Sequence, residues 1–423
     1  MKTTSPRADY DIVVIGGGLV GASFACVLNA LFSEQPLSIL VVEAVAPSTG
    51  AGGRYEGRST EQENNHSDFD ARTTALSAGS SEIYQRAGIW AGLSDRVTPI
   101  KQIHVSDRGH FGSTWLNNGQ WNADALGYVV ENHVLAAVLN AAMDQAAHIE
   151  LLCPATVDTI RPRQDGMNLH LNCKGGQFEV SAGLVVLADG GKSPICRQLG
   201  IVSRKKHYQQ QAIISTIAVE KTHENVAYER FTDTGPMAVL PLAPQNGLNR
   251  AALIWTVTDT EADTAMQLEG ESLLPLIQER FGHRLGRILK IGKRYCYPLS
   301  LSVATEQVRP GLVLLGNVAH TLHPVAGQGL NLALRDVESL VLTLLSARQR
   351  GLPMGSMQAL QEFMERQRRD QLTTIGFTHY LTRLFSSNKP ALVWARKFGL
   401  FSIDLVPVVR RRFARQAMGF VDR

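Results

Sequence analysis

Gly16-Gly17-Gly18-Leu19-Val20-Gly21 sets three glycines in a G-x-G-x-x-G pattern, and a carboxylate, Glu43, follows 22 residues after the last of them. Those residue types at that spacing suit a dinucleotide. Gly16 permits a tight turn, Gly18 lets the backbone approach a pyrophosphate, and Gly21 lets a helix pack closely on a strand. The first N–H groups of that helix face the phosphates, and the acid accepts the ribose hydroxyls of an adenosine. The elements that must position these groups are readable too. Apart from Asp11, residues 10–15 are apolar and largely β-branched, as in a buried parallel strand. Ala22, Ala25 and Ala30 alternate with leucines in a helix, and residues 37–42 form a second strand that ends at Glu43. Residues 12–32 are uncharged and long enough to cross a bilayer. The order strand, glycines, helix, strand, acid decides for the dinucleotide site instead.

Two further turns extend the pattern. Residues 183–190 read as a buried strand running into Asp189-Gly190. In residues 314–345, Gly316-Asn317 ends a strand, and Pro324, Gly327 and Gly329 shape a loop able to lie against a flat ligand. Leu330, Leu334, Val337 and Val341 then recur at helical spacing. That helix points its N-terminus into the loop, where N–H groups can stabilise the negative charge of a reduced flavin. His320 and His323 stand three apart without a cysteine or carboxylate to complete a metal set, so no metal is expected. Neither G-x-S-x-G nor H-E-x-x-H occurs.

Composition bounds the function. A chain of 423 residues with 44% hydrophobic and 19% charged residues has ample core, and a net charge of +4 leaves no overall nucleic-acid footprint. Five scattered cysteines, none in a C-x-x-C pair, fit a reducing compartment, and acidic residues ahead of the first apolar run argue against a secretory signal. A cytoplasmic protein is expected.

Along the chain, residues 44–70 read as a long polar surface loop, residues 71–90 as a strand or turn followed by a helix, and residues 103–115 as strands around a turn. A helix is expected over 132–147 and two strands over 151–171. Residues 207–297 alternate in strand fashion around one helix at 270–281, which marks an inserted, mostly antiparallel unit. The apolar strands at 237–242 and 251–257 are expected to form the wall of a binding chamber. From 361 onward the chain is helical, basic and amphipathic. Trp394, Phe398 and Phe401 lie among Arg396, Lys397 and Arg410, a pattern suited to covering the core, to an anionic membrane surface or to a partner.

Together the three glycine-bearing motifs resemble the FAD-dependent aromatic hydroxylases. The segments "VSDRGHFG", "ERFTDTGPMAVLPL" and "GNVAHTLHPVAGQGLNLALRD" are similar to the ubiquinone-biosynthesis branch of that family. The resemblance implies an α/β fold: a discontinuous Rossmann-like FAD-binding domain (8–100, 129–206 and 298–347), an inserted antiparallel substrate domain (207–297) whose sheet residues 101–128 join, and a helical C-terminal region (348–423). It implies a monooxygenase in which NAD(P)H reduces FAD, O2 adds to give a flavin C4a-hydroperoxide, and one oxygen atom passes to the ring of a polyprenyl phenol. Carried over by position, Gly16, Gly18, Gly21 and Glu43 would bind the adenosine diphosphate part of FAD. Arg72 would sit near the flavin, Asp189 would serve FAD and NAD(P)H, and Asn317 would approach the ribityl chain or pyrophosphate. Pro324, Gly327, Gly329 and Asn331 would line the isoalloxazine. His323 and Pro324 are the candidates beside the reacting edge, and no base for the phenol is assigned. The family usually carries Gly-Asp where this chain has Gly316-Asn317, which removes a charge there but keeps a hydrogen-bonding side chain. The same FAD motifs would also serve a sister hydroxylase acting at another ring carbon, an isoprenoid reductase, or a non-catalytic scaffold. The resemblance also implies other ubiquinone-biosynthesis proteins as partners and peripheral contact with the inner membrane through the basic C-terminal tail.

Overall fold

The computed structural model describes residues 6–45, 58–59, 72–109, 113–121, 123–322, 327–385, 415 and 418–419. The uncharged run near the N-terminus divides into the strand Asp9–Ile15 and the helix Leu19–Leu31. Strand alternation sends Ile12 and Val14 to one side of a sheet and Val13 and Ile15 to the other, and both sides are covered. On the first side lie the helices Leu19–Leu31, Asn132–Gln145 and Gln328–Gln349. On the second lie Ile160, Leu169 and Leu171 of the strands Ala155–Arg163 and Gly166–Cys173. Ile12, Val14, Leu184 and Val186 are wholly buried. Each contributes roughly 1.5–3 kcal/mol by leaving water, which ties the parallel register to the core.

The parallel strands have one consequence for function. Register places Leu152, Val42, Ile15, Leu187 and Leu314 side by side in a single row across the sheet. All five strands therefore end at the same edge, and the loops after them share it. The crevice beyond the carboxyl ends of such a sheet is where ligands bind in open α/β folds.

A second sheet of ten strands carries Ser203–Val219, Val226–Thr232, Gly235–Gln245 and Leu248–Thr258 at its centre. One face packs Met237, Val239, Leu253 and Trp255 against the helices Asp259–Gln267 and Gly270–Phe281. On the other face, Ala227, Leu242 and Ala252 pack on Ile100 and Val129 of a small three-stranded sheet. Strand Gln102–Asp107 lies in the ten-stranded sheet beside Val226–Thr232, whereas Gly127 and Tyr128 belong to the three-stranded sheet.

Several details depart from the sequence reading. The boundaries at 207 and 298 fall inside continuous strands, Ser203–Val219 and Tyr295–Ala304, which pair from Ser203↔Ala304 to Ile214↔Tyr295. The exposed run Arg204-Lys205-Lys206 hides this ladder in the sequence, because its side chains face solvent. Residues 58–59 add a short strand beside Tyr295 and Cys296 within what reads as loop. The helix Asp259–Gln267 is an addition. Thr258 caps it in a reciprocal box with Glu261, so its start lies in side chain to backbone bonds, not in apolar periodicity.

Candidate active site

Each glycine of the first motif has a different neighbour. Gly16 has φ +102°, and a Cβ there would lie 2.6 Å from the Ala188 carbonyl oxygen. A Cβ on Gly21 would lie 1.9 Å from the Gly16 carbonyl oxygen, so that helix and turn touch backbone to backbone. A Cβ on Gly18 would meet nothing within 4 Å. Gly18 also begins the helix with no side-chain cap, and the first turn holds no acid. The N–H groups at this end therefore face open space with the positive end of the helix dipole behind them, an arrangement that suits an anion. Glu43 sits at the same loop. It accepts hydrogen bonds from the Gly17 N–H at 2.7 Å and the Val45 N–H at 2.8 Å, one on each oxygen. Each oxygen keeps a second lone pair, so the fixed carboxylate can still take a ribose hydroxyl.

The second and third motifs close on the first. Asp189 follows Ala188 at the Gly16 contact. Its Oδ1 is buried with no hydrogen-bond partner, and burial pushes its pKa up to about 6. Such an orphan is costly, and a ligand that donates a hydrogen bond would relieve it. Gly316, at φ +70°, leaves room only for Val20 of the first helix, 3.0 Å from where its Cβ would be. Asn317 is exposed at that edge, and its carbonyl accepts a bond from the Thr321 hydroxyl at 2.9 Å. Gly191 approaches the same hydroxyl. Three segments separated by more than a hundred residues each thus meet at one crevice, lined by an uncapped helix, a fixed carboxylate and an unsatisfied one.

The model of the FAD binding domain family matches residues 58–353. The ubiquinone hydroxylase UbiL of Rhodospirillum rubrum is 33% identical over 410 residues, covering 97% of this chain and 89% of that protein. The chain belongs to the FAD-dependent monooxygenases. The 3-demethoxyubiquinol 3-hydroxylase of Escherichia coli is 28% identical over 97% of this chain and 98% of its own length. The p-nitrophenol 4-monooxygenase PnpA of Pseudomonas putida shares the fold, with a TM-score of 0.73 at 17% identity, over 99% of this chain and 100% of that one. FAD is therefore the cofactor of this monooxygenase, and the residues at the crevice are compatible with it: Gly18 leaves open space of the kind a phosphate needs, and Glu43 keeps lone pairs of the kind a ribose hydroxyl needs.

The remaining expected residues occupy distinct places. Arg72 lies at the junction with the ten-stranded sheet, its guanidinium 5.4 Å from the centre of the Tyr295 ring and its Nη1 donating to the Tyr297 hydroxyl at 3.4 Å. Gly327 caps the Gln328–Gln349 helix with φ +60°, close to Ala75, and Gly329 stands in open space. Asn331 is buried, and its amide is fully used. It donates to the carbonyls of Ala75 and Gly327 at 2.9 and 2.7 Å, and accepts from the Ser77 N–H and Ser80 hydroxyl at 2.8 and 2.7 Å. It staples the loop to the strand Thr73–Ser77, so in this geometry it positions the loop and has no polar atom left for a ligand. His323 and Pro324 lie outside the described residues, as does the basic tail from 386 to 414. His320 is buried with its pKa lowered to about 4 by burial, its Nδ1 3.8 Å from Asp336 Oδ2.

Alternation refines the expected chamber wall. Met237, Val239, Leu253 and Trp255 turn away under helices, while Ala238, Leu240 and Ile254 stay half-buried on the face turned toward Arg72. A buried polar cluster with no signature in the sequence lies behind the loop helix. Arg335 donates to Asp370 at 2.6 and 3.1 Å, and Asp336 accepts from Gln371 at 3.0 Å. These partners sit some 35 residues apart on two helices, Gln328–Gln349 and Met357–Phe385, and only packing reveals them. Among the described residues no helix is long and apolar enough to cross a membrane.

Proposed function

We propose that this monooxygenase hydroxylates the aromatic ring of a polyprenyl phenol in ubiquinone biosynthesis, with NAD(P)H as reductant and O2 as the oxygen source. The observation that carries the reading is the kinship with UbiL and with the 3-demethoxyubiquinol 3-hydroxylase over nearly the whole chain. The chamber wall supports it. Ile214, Ala238, Leu240 and Ile254 offer an apolar surface suited to a ring that carries a hydrocarbon chain.

Bound FAD supplies the acceptance of two electrons and the activation of O2. This chain's own groups hold and shield it. The first turn after Gly18 receives the pyrophosphate, Glu43 fixes the ribose, and Asp189 gains a donor for its orphan oxygen. Gly329 leaves room for a flat ring at the start of the Gln328–Gln349 helix, Gly327 turns the chain into that helix, and the first N–H groups there favour negative charge. The apolar sheet face excludes water from the reacting edge.

Removing the gene and weighing the lipids that accumulate tests the assignment. A prenylated phenol lacking one ring hydroxyl is expected, and its structure names the ring carbon. Ubiquinone at normal levels with no such precursor would overturn the reading.

A further inference from the structure

The chamber face of the ten-stranded sheet is apolar along one row except at a single residue. In register across five strands stand Val105, Glu229, Ala238, Ile254 and Ile214, and the row ends at Tyr295 beneath Arg72. Along its own strand the neighbours of Glu229 on that face are Ala227 and Phe231, only 4% and 2% exposed. Glu229, Ala238, Ile254 and Ile214 each keep some accessible surface, whereas Ile213, Met237 and Trp255 on the opposite face are sealed under helices. The row is therefore partly open on this face, and Glu229 is its carboxylate.

No hydrogen bond or ion pair engages Glu229 among the described residues. Burial alone lifts its pKa to about 7, with no charged neighbour contributing. The charged groups around it are accounted for elsewhere. Asp107, paired with Phe231 on the adjacent strand, has partners of its own. Arg250 is bound to Glu131 at 3.0 Å, Arg72 and Lys293 lie against Tyr295 at the far end of the row, and Arg230 and His104 belong to the other face. An acid held without a partner on an apolar wall is costly unless a ligand hydroxyl meets it.

We infer that Glu229 is the base that takes the proton of the substrate's phenol. The step rests on the reaction proposed above. The phenolic O–H bond breaks, its electron pair stays on the ring oxygen, and the proton passes to a Glu229 carboxylate oxygen. The phenolate so formed pushes electron density to its ortho and para carbons, which are the positions that accept an electrophilic oxygen. A base titrating near 7 is matched to this work at neutral pH.

The test uses FAD-loaded protein, NAD(P)H, a short-chain prenylphenol and a polyfluorinated analogue already ionised at the assay pH. With the prenylphenol, kcat/KM of the wild type should rise with pH to a plateau above about 7. Glu229→Gln should lose that limb and fall about 10²–10⁴-fold, the usual contribution of a general base. With the ionised analogue it should stay within about threefold of the wild type, and Glu229→Asp should recover part of the loss. The yellow bound-FAD spectrum checks that each variant is folded. Equal loss with both phenols, or an unchanged pH profile in Glu229→Gln, overturns the assignment. If the wild type hydroxylates neither phenol, the proposed reaction fails, and binding spectra still decide Glu229. A phenolate band that appears with the wild type and vanishes in Glu229→Gln supports the base, and a band unchanged in the variant refutes it.

Discussion

Gly18 and Gly21 belong to one motif, yet their substitution should fail in opposite ways. At Gly21 a Cβ would stand 1.9 Å from the Gly16 carbonyl oxygen, where real contacts stay beyond 3.0 Å. The helix must retreat by about 1 Å from the turn it packs on, an overpacking strain of roughly 3 kcal/mol. An unfolding entropy of about 2.1 cal/mol/K per residue converts this, over 423 residues, to a fall of about 3 °C in Tm. Gly18 is different. Its φ of −67° and ψ of −174° suit any residue, and nothing in the protein lies within 4 Å of its Cβ. Gly18→Val should leave the apoprotein within about 0.5 kcal/mol of wild type. It should displace the pyrophosphate from the first-turn N–H groups. Two lost charge-assisted hydrogen bonds, at about 1.5–3 kcal/mol each, weaken FAD binding by roughly 10²-fold or more. Melting curves of the apoproteins and titration by flavin fluorescence read the two effects separately. A Gly18→Val protein that binds FAD like the wild type would refute the placement of the pyrophosphate. A Gly21→Ala apoprotein as stable as the wild type would refute the backbone contact.

Three further outcomes follow from named contacts. Glu43→Ala should weaken FAD binding about 10–100-fold and speed amide exchange at Gly17 and Val45, which lose their acceptor; unchanged affinity counts against the ribose assignment. Asp370→Ala strands Arg335 inside the helix pair and should cost about 3–5 kcal/mol in a denaturant titration, while Arg335→Met with Asp370→Leu should recover most of it. Burial raises the Asp336 pKa to about 7, so the folded state holds a proton that the unfolded chain releases near pH 4. Stability is then lost as pH rises through that interval, and Asp336→Asn should flatten this limb in stability curves taken from pH 4 to 8. Parallel curves for the two proteins would contradict it.

The crevice at the first glycine motif was legible because its parts are local. Gly16, Gly18 and Gly21 lie on one turn, and Glu43 follows one strand later, so spacing alone carries the geometry. Strands with apolar runs, such as residues 183–187 and 251–257, showed themselves for the same reason. What stayed hidden depends on distant partners. Residues 203–206 fall outside the strand pattern that begins at 207, because their charged side chains show no apolar alternation, and pairing with Leu301–Ala304 makes them strand. Asn331 carries the amide expected beside a ligand, but Ala75, Ser77 and Ser80 consume its bonds from 250 residues away. Glu229 sits in a strand the pattern finds readily. Its importance comes from the four strands beside it, whose apolar side chains leave it alone on the chamber face.

Oxygen labelling tests the central claim most directly. FAD-loaded protein given NAD(P)H, a prenylated phenol and ¹⁸O2 should release a phenol bearing one new hydroxyl whose oxygen is heavy. If NAD(P)H is consumed while the phenol returns unchanged, or if the new oxygen comes from water, the enzyme is not the ring hydroxylase described here.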